Sequence, residues 1–195
     1  MKRYLLVFMM IYHAVAHAEP VYYNDYEMLP YTVIEKLAEN IEIRQYPAAI
    51  AVVAEDSSNN NAFRSLFDYI SGNNVSPQES GPVEVAMTVQ VEYKGSNQPQ
   101  KMAFFLPSHF ESHTAPIPNN PAVKVKKVPS QRVATIRYSG YNTDRKIAKY
   151  EAQLRKTLQE NNFITTDGYT VFGYDSPFTL WWLRRNEIVI KLVEM

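Results

Sequence analysis

The chain has 195 residues, with 20 Lys and Arg against 20 Asp and Glu, 46% hydrophobic residues and no cysteine. That balance supplies no basic surplus to recruit nucleic acid. The missing thiols exclude disulfides, thiolate metal sites, covalent heme attachment through Cys-x-x-Cys-His and cysteine nucleophiles.

Residues 1–18 read as a secretory signal peptide. Lys2-Arg3 is a basic start, Tyr4 to Val15 is almost wholly apolar, and Ala16-His17-Ala18 is a small-x-small cleavage pattern. The apolar run is shorter than the roughly 20 residues a transmembrane helix needs. The expectation is a periplasmic or secreted protein with no stable membrane insertion after cleavage. Losing Lys2 and Arg3 leaves 18 basic and 20 acidic residues, a net of −2.

Residues 19–29 form a polar, tyrosine-rich arm, and 30–195 make one domain, long enough for a sizeable core. Thr32 to Leu37 and Ile41 to Tyr46 alternate with period two around the turn-prone Glu39-Asn40, which predicts a hairpin. Pro47 interrupts, and Ala48 to Ala54 resumes as a buried strand. After the cap-rich Ser57 to Asn61, the spacing of Ala62, Phe63, Leu66, Phe67 and Ile70 predicts a helix that Gly72 stops. Val83 to Val91 alternates as a strand, with Lys101 to Leu106 as its antiparallel partner.

The proline-rich segment from Pro107 to Pro121 is too long for a tight turn and reads as a linker or flap. Val123 to Pro129 and Val133 to Tyr138 are strands. Asn142 or Thr143 caps a helix to about Glu160, with Ile147, Tyr150, Leu154 and Leu158 on one stripe. Tyr169 to Tyr174 and Glu187 to Val193 are the last strands. Ile41, Ile43 and Pro47 lie 82 residues before Val123, Val125 and Pro129, and each half runs strand, proline break, strand, helix, hairpin. The predicted class is α+β: two repeated β-rich units (about 30–107 and 122–195), each with one packed helix, related by a pseudo-twofold. A groove between sheet and helix is a natural ligand site.

Catalytic motifs are absent: no Gly-x-Ser-x-Gly, Walker loop, Gly-x-Gly-x-x-Gly or His-Glu-x-x-His. His109 and His113 are the only imidazoles beyond the signal peptide, so they are the weak candidates for an iron ligand; loop histidines without function are the alternative. Glu84 and Glu92 share a strand face with no second carboxylate placed beside them. Phe63 and Phe67 form an aromatic stripe beside Arg64, either core packing or a platform for a planar ligand. Gly173 to Glu187 concentrates aromatics, including Trp181 and Trp182, beside Arg184 and Arg185. These side chains suit either ordinary packing with solvated arginines or a planar, apolar, anionic ligand.

The ordered set of motifs resembles the SOUL type of heme-binding protein family. It comprises Tyr31-Thr32-Val33-Ile34, Ile41 to Tyr46, Ala62 to Asn74, Ala86-Met87-Thr88, Phe105-Leu106-Pro107-Ser108, Gly173 to Phe178 and Arg185-Asn186-Glu187. The resemblance implies a distorted antiparallel β-barrel of two repeats and non-covalent binding of heme or porphyrin beside the first helix. It maps ligand contacts to Phe63 and Phe67, with Arg64 adjacent, and to Tyr174, Phe178 and Thr179. Where some relatives carry a histidine before the early-strand tyrosine, this chain has Gln45; where some carry a basic residue on the first helix, it has Asp68. The expected function is an exported, non-catalytic tetrapyrrole carrier or buffer. The alternatives are a module for other amphipathic small molecules, since a related repeat fold serves in drug-sensing regulators, or a small-molecule hydrolase using Glu84.

Overall fold

The computed structural model describes residues 20–55, 59–94, 101–176 and 178–193; the signal peptide expected at 1–18 lies outside them. A nine-stranded antiparallel sheet dominates. Its strands, from edge to edge, are β11 (Val123–Val128), β5 (Ala49–Glu55), β9 (Lys101–Phe105), β8 (Val91–Lys94), β13 (Thr170–Gly173), β14 (Arg185–Lys191), β12 (Gln131–Ser139), β4 (Ile41–Tyr46) and β3 (Thr32–Ala38). Among the described residues β11 and β3 do not pair with each other, so the sheet is open and the expected closure into a barrel is not observed. Bulges near Val33 and Lys36 irregularise the β3 edge, as strands exposed to other chains commonly are.

Two pairings carry the internal symmetry. Val128 pairs with Ala49, and Gln131 pairs with Tyr46. Gln131 follows Ala49 by 82 positions and Val128 follows Tyr46 by the same 82, so a twofold axis exchanges one pair for the other.

Alternation along the strands sorts the core. On the outer face, Val52, Met102 and Phe104 pack under α1 (Asn59–Ile70) with Ala62, Leu66 and Tyr69. Ile43, Ala134, Ile136, Ile188 and Ile190 pack under α2 (Asp144–Glu160) with Leu154 and Leu158. Burying each such leucine contributes roughly 1.5–3 kcal/mol. Thr143 caps α2, accepting from the Lys146 amide. Gly72, at φ +104, takes the left-handed turn that ends α1.

The alternate residues, Tyr46, Ala51, Ala103, Phe105, Val133, Phe172 and Val189, form one inner cluster. They come from strands as far apart as β5 and β4, which means the sheet curls so that its inner face packs on itself. Met28 and Leu29 of the N-terminal segment close one end of that space. This segment is structured: β1 (Val21–Tyr23) and β2 (Tyr26–Met28) form a hairpin through Asn24 and Asp25, both at positive φ, and β2 runs parallel to β7 (Thr88–Val89). Asn and Asp tolerate that conformation in a primed two-residue turn.

Two expectations need correction. Val83 to Val91 is not one strand: it pairs only at β7, then breaks at Gln90, whose φ of 81 no regular strand adopts, before β8 begins. The segment from Pro107 to Pro121 is not a loose flap. Its β10 (Ile117–Pro118) pairs with β6 (Asn74–Val75), the Tyr69 hydroxyl donates to the Pro116 carbonyl at 2.8 Å, and Phe110 and Ala115 pack on the α1 core.

Candidate functional site

Inside the curl, β4 and β14 turn charged side chains inward. Arg44 (3% exposed) forks onto Glu187 (0% exposed), its Nη1 donating to Oε2 at 2.7 Å and its Nη2 to Oε1 at 3.2 Å. Arg185 (9% exposed) donates to the same Oε1 from Nη2 at 2.7 Å and from Nε at 3.1 Å. The Tyr174 hydroxyl donates to Oε2 at 2.7 Å and accepts from Gln90 Nε2 at 2.8 Å. Gln90 Oε1 in turn accepts the Leu29 amide at 2.9 Å, which ties the network to the N-terminal segment. The Arg44 guanidinium lies 4.0 Å over the Tyr31 ring, and that of Arg185 lies 4.0 Å over Tyr174.

Burial alone would raise the Glu187 pKa. The guanidinium of Arg44 and then that of Arg185 outweigh it and hold the carboxyl below its ordinary value. Burial pushes the Tyr46 hydroxyl up to about 12 and Tyr174 well above the usual tyrosine range. This cluster is therefore a charged, fully engaged clamp at neutral pH. Bidentate geometry is what lets a desolvated ion pair hold.

The other end of the inner face is open. A cavity of about 780 Å³ has an apolar floor of Ala51, Val53, Ala103, Phe172 and Val189. Its mouth carries Lys101, Lys126, Lys127 and Lys191, with Glu92, Asp144, Glu151 and Asp167 also at the rim. Alanines at 51 and 103 leave the space that larger inward residues would fill. Gln131 lines the cavity, and its Oε1 is buried without a hydrogen-bond partner.

The residues singled out in the sequence fall in separate places. Phe63 and Phe67 stack on α1 with centroids 6.1 Å apart; Phe63 is half-buried against Phe104, Phe67 is 47% exposed, and Arg64 and Asp68 are exposed. Tyr174 belongs to the inner clamp. Phe178 is 95% exposed and Thr179 half-buried, on the loop between β13 and β14. The ring contacts of that loop run toward α2, where Trp181 stacks on Tyr141 at 6.4 Å. The tryptophans are about half exposed, Trp181 at 48% and Trp182 at 52%, and they pack on each other edge to face. Arg185 is buried and ion-paired, which corrects the solvated role, whereas Arg184 stays near the surface, with its Nε donating to the Thr179 carbonyl at 2.8 Å.

His109 and His113 are exposed on the connector, His113 with Nδ1 3.4 Å from Glu111. No group of three or more His, Cys, Asp or Glu able to hold a metal occurs among the described residues. Glu84 is exposed, Glu92 lines the cavity, and Gln45 donates to Ser130 Oγ at 2.8 Å. Sequence reading missed Arg44, Gln90 and Glu187. The available signal was opposite charge two apart on strand faces, Glu42 with Arg44 and Arg185 with Glu187.

The profile described as SOUL heme-binding protein matches residues 26–191. The chain belongs to the SOUL heme-binding protein family. Its relatives include Heme-binding protein 1 of Sus scrofa, 28% identical over 140 residues, which cover 68% of this chain and 70% of that one. Heme-binding protein 1 of Bos taurus is 28% identical over 135 residues with the same coverage. In three dimensions this SOUL chain resembles the C-terminal domain of EcmrR, with a TM-score of 0.55 and 13% identity over 80% of this chain and 98% of that one. It also resembles a hydrolase from Listeria innocua, with a TM-score of 0.56 and 7% identity over 79% and 92%. At such identities these two likenesses concern the fold alone.

Proposed function

We propose that this SOUL protein binds a heme or porphyrin non-covalently, without catalysis, as an exported carrier or buffer. Family membership supports the ligand class, and the observation that carries the reading is the cavity on the inner face. Its volume lies in the range of small-molecule sites. The apolar floor suits a macrocycle face, and the lysines at the mouth suit carboxylate side groups. Apolar contact contributes roughly 25 cal/mol per Å² before the costs of association.

The residues at the cavity fit the macrocycle and its acids better than an iron needing imidazole, because the histidines stand on the exposed connector. Non-catalytic binding is favoured by the state of Glu187: a carboxylate saturated with donors and held below its ordinary pKa is a poor general base near neutral pH. Export rests on the signal-peptide pattern of residues 1–18.

The α1 face with Phe63, Arg64 and Phe67 is the other surface for the ligand, and one titration separates the two. Hemin and protoporphyrin IX are added to the mature protein while the Soret band is followed. Saturable binding weakened by the double Lys126→Glu, Lys127→Glu change, with Phe67→Ala neutral, places the ligand in the cavity. The reverse pattern moves it to α1. No saturable change, or porphyrins binding no better than unrelated flat aromatics, sinks the reading.

A further inference from the structure

The loop between β13 and β14 exposes Phe178, Leu180, Trp181, Trp182 and Leu183 side by side, with Phe178 standing 95% clear of the body. Soluble surfaces scatter single apolar residues; a contiguous tip of this kind marks an interaction site. The tip is held in shape. Thr179 N bonds to the Ser176 carbonyl at 3.0 Å, Leu183 N to the Leu180 carbonyl at 2.9 Å, and Arg185 N to Asp175 Oδ2 at 2.6 Å, which fastens the loop's base to the clamp strand. Trp181 and Trp182 meet edge to face at 5.4 Å, and Trp181 stacks on Tyr141.

Positive charge surrounds this apolar tip. Arg184 lies 5.0 Å over Tyr141, and Lys146 reaches the Ser139 carbonyl beside Gly140, against which Trp181 also packs. Arg145 and Lys149 stand exposed on the first turns of α2, which begins three residues after Tyr141, with the Lys149 ammonium 5.6 Å over the Tyr150 ring. Asp144 and Asp175 are the acidic neighbours, so the basic residues outnumber them.

We infer that this loop is a membrane-surface anchor: Phe178, Leu180, Trp182 and Leu183 enter the interfacial layer of a bilayer whose anionic headgroups face Arg145, Lys146, Lys149 and Arg184. A bilayer suits the shape better than a protein does. A protein partner needs a complementary surface of about 800 Å². Five exposed apolar side chains on one loop fall well short of the roughly 20–30 residues a side of a standard protein interface, whereas headgroups and acyl chains close around any small protrusion. Tryptophan is favoured at that depth because its ring is apolar and its indole N–H stays wet. Insertion is shallow and reversible, distinct from spanning; among the described residues no helix is long and apolar enough to cross a membrane.

Both tryptophans of the chain are in this loop, so tryptophan emission, excited selectively over the 14 tyrosines, reports on it alone. The mature protein is mixed with vesicles of phosphatidylcholine, with and without phosphatidylglycerol. The expected results are a blue-shifted emission, quenching by brominated lipid, flotation with the anionic vesicles, and partitioning at least about tenfold weaker in Phe178→Asp. That side chain touches little of the fold, and an unchanged melting temperature checks it. Emission unmoved by lipid, or Phe178→Asp floating as well as the parent, overturns the anchor. A concentration-dependent dimer that Phe178→Asp dissolves also overturns it and gives the tip to a second copy. Hemin affinity is read in the same samples without lipid, so the anchor and the tetrapyrrole reading fail independently.

Discussion

Arg44 and Glu187 stand 143 residues apart in the chain and meet in a two-pronged ion pair that water does not reach. Each depends on the other, because either charge alone in that position would be desolvated without compensation. Glu187→Gln leaves Arg44 and Arg185 facing a neutral amide. The expected loss is about 3–5 kcal/mol of stability, seen as a lower urea midpoint at unchanged slope. Replacing Arg44, Arg185 and Glu187 together by apolar residues of similar volume should cost less than the single change. A single change within about 0.5 kcal/mol of the parent would show that the clamp contributes little.

Acid should find the same weak point. The Glu187 carboxyl has its pKa lowered in the folded protein from an ordinary 4.5. Its stabilisation is complete above 4.5 and is lost progressively as pH falls through the folded value, because the unfolded state takes up the proton first. Melting temperature followed downward from pH 6 should fall more steeply below about 4.5 in the parent than in the triple apolar variant. Parallel curves would remove the carboxylate from the account.

Gln90 joins a positive φ of 81 to two buried side-chain bonds, one from the Leu29 amide and one to Tyr174. Gln90→Gly relieves the backbone and loses the bonds; Gln90→Ala loses the bonds and keeps the strain. Leaving a buried donor unsatisfied costs about 1–3 kcal/mol, and a left-handed non-glycine conformation costs about 1–2 kcal/mol. Alanine should therefore be the more damaging change by about 1 kcal/mol in thermal or urea unfolding. Equal losses would mean that the conformation carries little strain.

With His109 and His113, the two histidines among the described residues, exposed on the connector, iron should matter little to ligand affinity. Hemin and metal-free protoporphyrin IX are expected to bind within about tenfold of each other, and His109→Ala with His113→Ala should leave the Soret position of the hemin complex unchanged. Tenfold corresponds to about 1.4 kcal/mol. A much tighter hemin complex whose spectrum shifts in either variant would establish axial ligation instead.

Local patterns carried far in this chain. The hairpin at Glu39-Asn40, the proline breaks at 47 and 129, the stop at Gly72 and the cap at Thr143 are all legible, because each depends on residues within a turn or two. The site was less legible. Phe63 and Phe67 follow from helical spacing, but the local charge pair of Glu42 with Arg44 does not say which face of the strand is buried, and it names no partner as distant as Glu187. The same limit hid the break at Gln90, whose neighbours alternate as a strand would.

From Gly173 to Glu187 the division is clearest. The sequence by itself determined that a turn joins two strands there, and that its apolar surface is large and flanked by arginines. Only the tertiary structure decided that Tyr174, Arg185 and Glu187 face inward to meet Arg44 while Phe178 and Trp182 face water. Which face of a strand is buried depends on neighbours brought from β4 and the N-terminal segment, and pairing at such separation leaves no periodic trace along the chain.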